Sequence, residues 1–335
     1  MTYSMAIELG TSFTALYIEG EGVVYREPTC IAFCGEKKAK NVIAVGREAK
    51  EMQGLSPEKT VVIEPVENGM ITDAEAASLM LRAVFRTVLP ASAFMPRIKV
   101  VLLVPCGLNV EERKLFEEVC FLAGVKEVTL VERVVAAAVG CDLPVTGDSA
   151  CLVADIGGGT TDVAAIVLGG VVSGVSAEVG GNTMDEAISQ MALSRHHAQF
   201  GLLTMEQLKD EIGSLHERDT AFFTVSGQDV TTHAPITCRV KAGELRTAMI
   251  PVYHAVADVI ESVINVCPPD GAASIHKNGV VVTGAAAKVL GLEQMLSDRL
   301  HLDVFVAPDP EYACIVGGGK LVRDRELLRT VLANN

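Results

Sequence analysis

No run of eighteen apolar residues occurs in the 335-residue chain, because charges or glycines interrupt every greasy stretch, including 100–105 and 134–140. A helix crossing bilayer hydrocarbon needs about twenty such residues, so no spanning segment is expected. Positive charge is scarce at the start, where the first Lys or Arg is Arg26 and Glu8 already sits inside the first apolar run. A secretory leader begins on positive charge, which places the chain in the cytoplasm by expectation. Positive charge is also short overall: 28 Lys and Arg stand against 42 Asp and Glu, for a formal net charge of −14. No sequence-wide field draws a polyanion, and nucleic acid is excluded as a primary partner. An even set of framework cysteines is absent, since there are nine, mostly in apolar settings such as Cys106, Cys120, Cys151 and Cys314. They read as reduced core thiols. Cys30 and Cys34 form a lone C-x3-C with no second half, so zinc is not expected. The two commonest nucleotide cradles, G-x-x-x-x-G-K-[ST] and G-x-G-x-x-G, are missing as well.

What is present points to a folded α/β protein. Apolar residues make up 49% and charged residues 21%, too greasy for disorder and suited to strands buried on both faces. The length calls for two lobes or one large unit. Residues 4–18 run as an apolar strand, the turn Gly10-Thr11-Ser12, and a second apolar strand; residues 151–167 are a near copy around Gly157-Gly158-Gly159-Thr160. Each copy carries an acid just before its glycines, Glu8 in the first and Asp155 in the second. A duplicated lobe is the economical explanation. Helical patterns are expected over 73–89, 110–123, 134–140, 183–197, 204–215 and 242–266, with strands at 99–105, 127–131 and 279–283 and a β-rich insertion at 221–240. The expected organisation is a first lobe over 1–145 with a small insertion at about 33–66, and a second lobe over 146–315 with an insertion at about 181–242. Residues 316–335 are expected to return to the first lobe. No Pro-rich or Ser-rich linker parts the halves, so the cleft between them is the expected site.

Glycine lets backbone N–H groups converge without Cβ obstruction, making a nest for an anion. One such turn is an ordinary hairpin connection. Two, each preceded by a carboxylate, can clasp a polyphosphate from both sides while Glu8 and Asp155 hold Mg²⁺, directly or through water.

With these turns the chain resembles the actin and DnaK-type ATPase superfamily, and within it the MreB-like bacterial actins. The likeness extends to Asn68-Gly69, Pro105-Cys106-Gly107, Ala136-Ala137-Ala138, Met184-Asp185-Glu186-Ala187-Ile188, Glu206 to Gly213 and Thr283-Gly284. The resemblance implies a two-lobed actin-like ATPase fold with ATP and Mg²⁺ in the cleft. By it, Gly10, Thr11, Ser12, Gly157, Gly158, Gly159 and Thr160 surround the phosphates, and Gly181 and Asn182 begin a helix beside them. Glu206 and Lys209, three apart on one helix face, would face adenine and ribose, and Gly284 with Ala285 opens the adenosine loop. Unaided, Glu206 and Lys209 would read as a surface ion pair.

Three departures bear on chemistry. Glu8 stands where these relatives carry Asp, Gly284-Ala285-Ala286 stands for three glycines, and Glu132-Arg133 stands for a pair of acids. The second acid of that pair is the relatives' water-positioning residue, and an arginine cannot accept a proton from water. Weak hydrolysis is therefore expected at most, with Arg133 pairing with phosphate, or swinging away so that Glu132 serves instead. The implied function is a filament, a self-assembly on the inner face of the cell membrane that organises cell-wall synthesis and rod shape, with membrane proteins of that synthesis as further partners. Phe94-Met95, apolar residues between Pro90 and Pro96, are expected to insert into the membrane. A small-molecule kinase on the same fold is the competing reading, and a plasmid-segregating or scaffold actin a third. The kinase would need a general-base carboxylate in a sugar-binding segment, and none is recognisable.

Overall fold

The computed structural model describes residues 2–34, 41–53, 60–90 and 96–333. Two five-stranded sheets carry the chain. The first is built from β1 (Thr2–Leu9), β2 (Phe13–Ile18), β3 (Gly22–Pro28), β4 (Arg97–Val104) and β5 (Glu127–Glu132). The second is built from β6 (Cys151–Ile156), β7 (Thr161–Val167), β8 (Gly170–Ala177), β9 (Val280–Thr283) and β10 (Val304–Val306). Their orders are β5-β4-β1-β2-β3 and β8-β7-β6-β9-β10. In both, the first three strands form an antiparallel meander and the last two join in parallel. The duplication read from the glycine turns is thus a duplication of whole sheets. Glu8 and Asp155 are each the last but one residue of the opening strand.

Parallel strands need crossovers, and helices supply them. In the first lobe α1 (Ala74–Val88) starts where Asp73 accepts a 2.9 Å bond from the Ala76 N–H. α2 (Val110–Ala123) is fixed at its start by the reciprocal Asn109–Glu112 pair and stops at Gly124 in the left-handed region. α3 (Arg133–Gly140) follows β5 without a loop. The second lobe uses α4 (Gly181–Met191), α5 (Leu202–Ile212) and the long α6 (Ala242–Val266). By length and composition alone α6 passes for a membrane-crossing helix. Its stripe of Leu245, Met249, Tyr253, Val256 and Ile260 is instead part of the second-lobe core.

The last helices, α7 (Ala313–Arg323) and α8 (Arg325–Ala333), have no counterpart in the sequence expectation. α7 and α3 pack with their backbones close together, so that a Cβ on Gly317 would collide with the Ala136 carbonyl. The two helices lie in a core shared by both sheets, with Ala6 and Leu103 from one and Val153 and Ile166 from the other. This shared core brings the two glycine turns face to face. Two expected helices end early: the one over 183–197 passes into a π turn at Ala192–His196. The one over 204–215 stops at Ile212, because Gly213 leaves the helical region and Ser214 bridges to Leu290. Small three-stranded sheets sit on each lobe. One joins Ile31–Cys34, Asn41–Val45 and Thr60–Ile63, and the other Ala198–Gln199, Phe222–Asp229 and Pro235–Lys241.

Candidate functional site

The two glycine turns close in the same way. Gly10 N–H donates to the Phe13 carbonyl at 3.0 Å, and Gly157 N–H to the Thr160 carbonyl at 2.8 Å. They meet at Ser12 and Gly158, where a Cβ would collide with the serine hydroxyl. Thr11 Oγ1 accepts from the Gly69 N–H at 2.8 Å. The start of α4 rests on the second turn, with Gly181 and Asn182 N–H groups on the Gly157 and Gly158 carbonyls at 3.0 and 2.7 Å. Gly284 holds φ +90 against the Ile156 carbonyl, a place closed to any side chain, and Ala285 begins the short turn after it.

Behind the turns lies a cavity of about 40 Å³ lined by Glu8, Arg26, Arg133, Asp155 and both turns. The acids there are held unequally. Asp155 faces Asp162 on one neighbouring strand and Thr283 on the other. Its Oδ1 accepts from the Thr283 hydroxyl at 2.9 Å, and its Oδ2 lies 3.4 Å from Cys314 Sγ. Asp162 accepts from Cys106 N–H at 3.1 Å, Thr160 Oγ1 at 3.2 Å and Arg133 Nη1 at 3.4 Å. Glu8 faces Ala15 and Leu103 at the same register positions. It forms an ion pair with Arg133, with Nε 3.9 Å from Oε1. Burial pushes Glu8 up to about 7, Arg133 pulling down and Asp155 adding repulsion. Asp155 is also raised by burial, against the pull of Arg133.

Arg133 is 3% exposed. Burial opposes its charge, but Asp162, Glu8 and Asp155 outweigh that and hold the guanidinium above its ordinary value. Glu132, the residue before, points elsewhere. Its Oε1 accepts from Gly107 N–H at 3.3 Å and pairs with Arg113 at 3.5 Å, while Cys106 Sγ lies 3.6 Å from Oε2. The expectation that Arg133 swings away and Glu132 serves therefore has the two side chains reversed. Nor do the residues fit a directly held Mg²⁺. Asp155 and Asp162 already accept from internal donors, and a guanidinium stands among the acids.

In front of the turns a chamber of about 670 Å³ is lined by Gly157, Gly158, Asn182, Glu206, Lys209 and Ala285, among others. Glu206 and Lys209 share it without pairing with each other. Lys209 binds Asp185 at 2.8 Å. Glu206 reaches across the cleft to Lys50 at 2.5 Å, on the short helix Arg47–Glu51, and Asn68 makes a second crossing to Glu178 at 2.9 Å. Phe94 and Met95 lie outside the described residues.

Arg26, Asp162, Thr283, Cys314 and Lys50 escaped the sequence reading as site residues. Asp162 lies within the 151–167 repeat, and its role follows only from strand register. Arg26, which stacks on Phe13 with 4.2 Å to the ring centre, had no local signal.

The chain matches the MreB/Mbl protein family over residues 2–330. It is 34% identical to the cell shape-determining protein MreB of Escherichia coli strain K12 over 319 residues, 94% of this chain and 92% of that protein. It superposes on MreB5 of Spiroplasma citri bound to ADP with a TM-score of 0.90 at 28% identity, covering 100% of this chain and 99% of that one. The MamK double helical filament subunit shares the fold at a TM-score of 0.81 and 20% identity, covering 97% of this chain and 99% of that one. The fold is that of the actin-like proteins.

Proposed function

The chain belongs to the MreB/Mbl family, and from that premise we propose that it is an ATP-binding, actin-like protein of the cytoplasm. It polymerises into filaments on the inner face of the cell membrane and organises cell-wall synthesis and rod shape. The observation that carries the nucleotide is the pair of facing glycine turns at the mouth of a 670 Å³ chamber, a volume suited to a small-molecule ligand. The phosphates lie against Gly10, Thr11, Ser12 and Gly157, Gly158, Gly159, Thr160, beside the helix start at Gly181 and Asn182. Glu206 and Lys209 face the ribose and base, and Gly284 and Ala285 close the base end. The relative MreB5 was solved bound to ADP, and MamK forms a double helical filament.

Hydrolysis is slow in this reading. Orienting water for in-line attack needs an acceptor, and the residue that follows β5 offers only donors, while Glu132 is held on the Cys106-Gly107 loop. The apolar pair Phe94-Met95 supports the membrane contact through its sequence alone. Two such side chains bind weakly, so useful affinity comes from many subunits in one filament.

Titration with ATP, followed by negative-stain microscopy on a lipid monolayer, tests this reading. Wild type should bind ATP and form filaments, whereas Gly158→Val, which forces the turns apart at Ser12, should lose ATP binding while remaining folded. Unchanged ATP affinity in Gly158→Val would move the site elsewhere. Equal pelleting with liposomes of wild type and the double variant Phe94→Ser, Met95→Ser would remove the membrane loop.

A further inference from the structure

The guanidinium of Arg133 is only partly used. Nη1 donates to Asp162, yet Nε and Nη2 are buried with no hydrogen-bond partner. A buried donor left unsatisfied is costly, the more so when charged, so native folds leave one where a ligand or water completes it. These donors belong to a residue lining the 40 Å³ cavity at the point where both glycine turns converge. A second guanidinium, Arg26, lines the same cavity. Around them stand Glu8, Asp155 and Asp162.

This charge arrangement bears on how a polyphosphate enters. Its negative charge must approach three carboxylates, and positive charge between them is a requirement of the electrostatics. A divalent ion commonly supplies it in phosphoryl-transfer sites. Here a fixed cation already occupies that position, with two donors to spare. The cavity holds a few waters at most, whereas Mg²⁺ usually keeps several waters of its own.

We propose that Arg133 is a built-in cation that takes over the charge-neutralising role of a divalent metal. It donates from Nε and Nη2 to the terminal phosphate and separates it from Glu8 and Asp155, so ATP binding does not depend on Mg²⁺. The proposal rests on the nucleotide reading above and specifies how that site handles charge.

Isothermal titration of ATP into the full chain, with excess MgCl₂ and then with excess EDTA, tests it. Wild type should bind with dissociation constants that agree within about threefold in the two buffers. Arg133→Gln should bind about tenfold or more weakly in EDTA, the loss of charge-assisted hydrogen bonds, and recover part of that with MgCl₂. Arg133→Lys, which keeps the charge, should retain more EDTA binding than Arg133→Gln, with thermal melting to show that both are folded. Glu8→Gln gives an opposite-sign check that keeps the guanidinium and its hydrogen bond to Asp162 while removing the ion pair at 3.9 Å. Removing a carboxylate that repels phosphate tightens ATP in EDTA, while removing one that helps hold a metal weakens ATP in MgCl₂ and leaves EDTA binding no better. Wild-type binding about tenfold or more weaker in EDTA overturns the proposal and leaves the nucleotide reading intact. Absence of ATP binding in both buffers overturns the nucleotide reading, and this inference with it.

Discussion

The two glycine turns are copies in topology and opposites in chemistry. Each opening strand ends in an acid and a glycine turn at the same register, but the neighbours of Asp155 are Asp162 and Thr283, and those of Glu8 are Ala15 and Leu103. The second lobe therefore saturates its carboxylates with hydroxyl, thiol and backbone donors. The first leaves Glu8 with an ion pair at 3.9 Å and a proton affinity pushed up to about 7. Arg133, contributed by the first lobe, spends its guanidinium hydrogen bond to Asp162 on the second. Duplication thus supplies a symmetric frame, and the side chains divide the labour: one lobe is rigidly polar, the other adjustable.

Making the second lobe resemble the first should have the largest effect. Asp162→Ala leaves the buried Arg133 without its hydrogen-bonded acid and the Cys106 N–H unpaired, and breaking a buried ion pair costs about 3–5 kcal/mol. Urea denaturation checks this, and a cost near zero would mean that the second lobe is no more rigidly held than the first. Thr283→Val removes one donor to Asp155 and should cost about 1–3 kcal/mol by the same measurement.

Glu8 gives a smaller effect with a definite sign. Its folded value of about 7 lies above the ordinary 4.5, so the folded state keeps a proton that the unfolded chain releases. The contribution is fully present below 4.5 and is lost as pH rises to about 7. Arg133, Asp155, Arg26 and Asp162 face this group, and all four remain in Glu8→Gln. Relative to that variant, wild type should lose stability over this interval and hold a constant gap above it. A gap independent of pH would make the two lobes alike in their acids. Smallest of all is Lys50→Ala. Its pair with Glu206 is partly exposed and is worth up to about 1 kcal/mol, so melting should hardly shift while ATP dissociates faster from a cleft with one crossing removed.

The turns were legible because acid, glycines and threonine are contiguous, and the duplicated pattern showed itself twice in one chain. Positions that act through long-range contacts were not. Cys314, Arg26 and Lys50 come from distant segments whose local sequence says nothing of the cleft. α7 was missed because three successive glycines, Gly317-Gly318-Gly319, weaken the helical signal; those glycines are in a helix that presses against α3. Glu206 and Lys209 were correctly placed on one face, yet the obvious pairing between them yields to Lys50 and Asp185. At Arg133 the residue type was informative and the direction was not, since only the packed structure shows Glu132 drawn to Gly107 and Arg133 turned into the cavity.

The most direct test is a crystal structure of the full chain with ATP and excess MnCl₂, read from the manganese anomalous signal. The expected result is no manganese peak between Glu8 and Asp155, with Arg133 Nε and Nη2 within about 2.7–3.2 Å of phosphate oxygens. A manganese ion seated between those two carboxylates, with Arg133 displaced from Asp162, would contradict it.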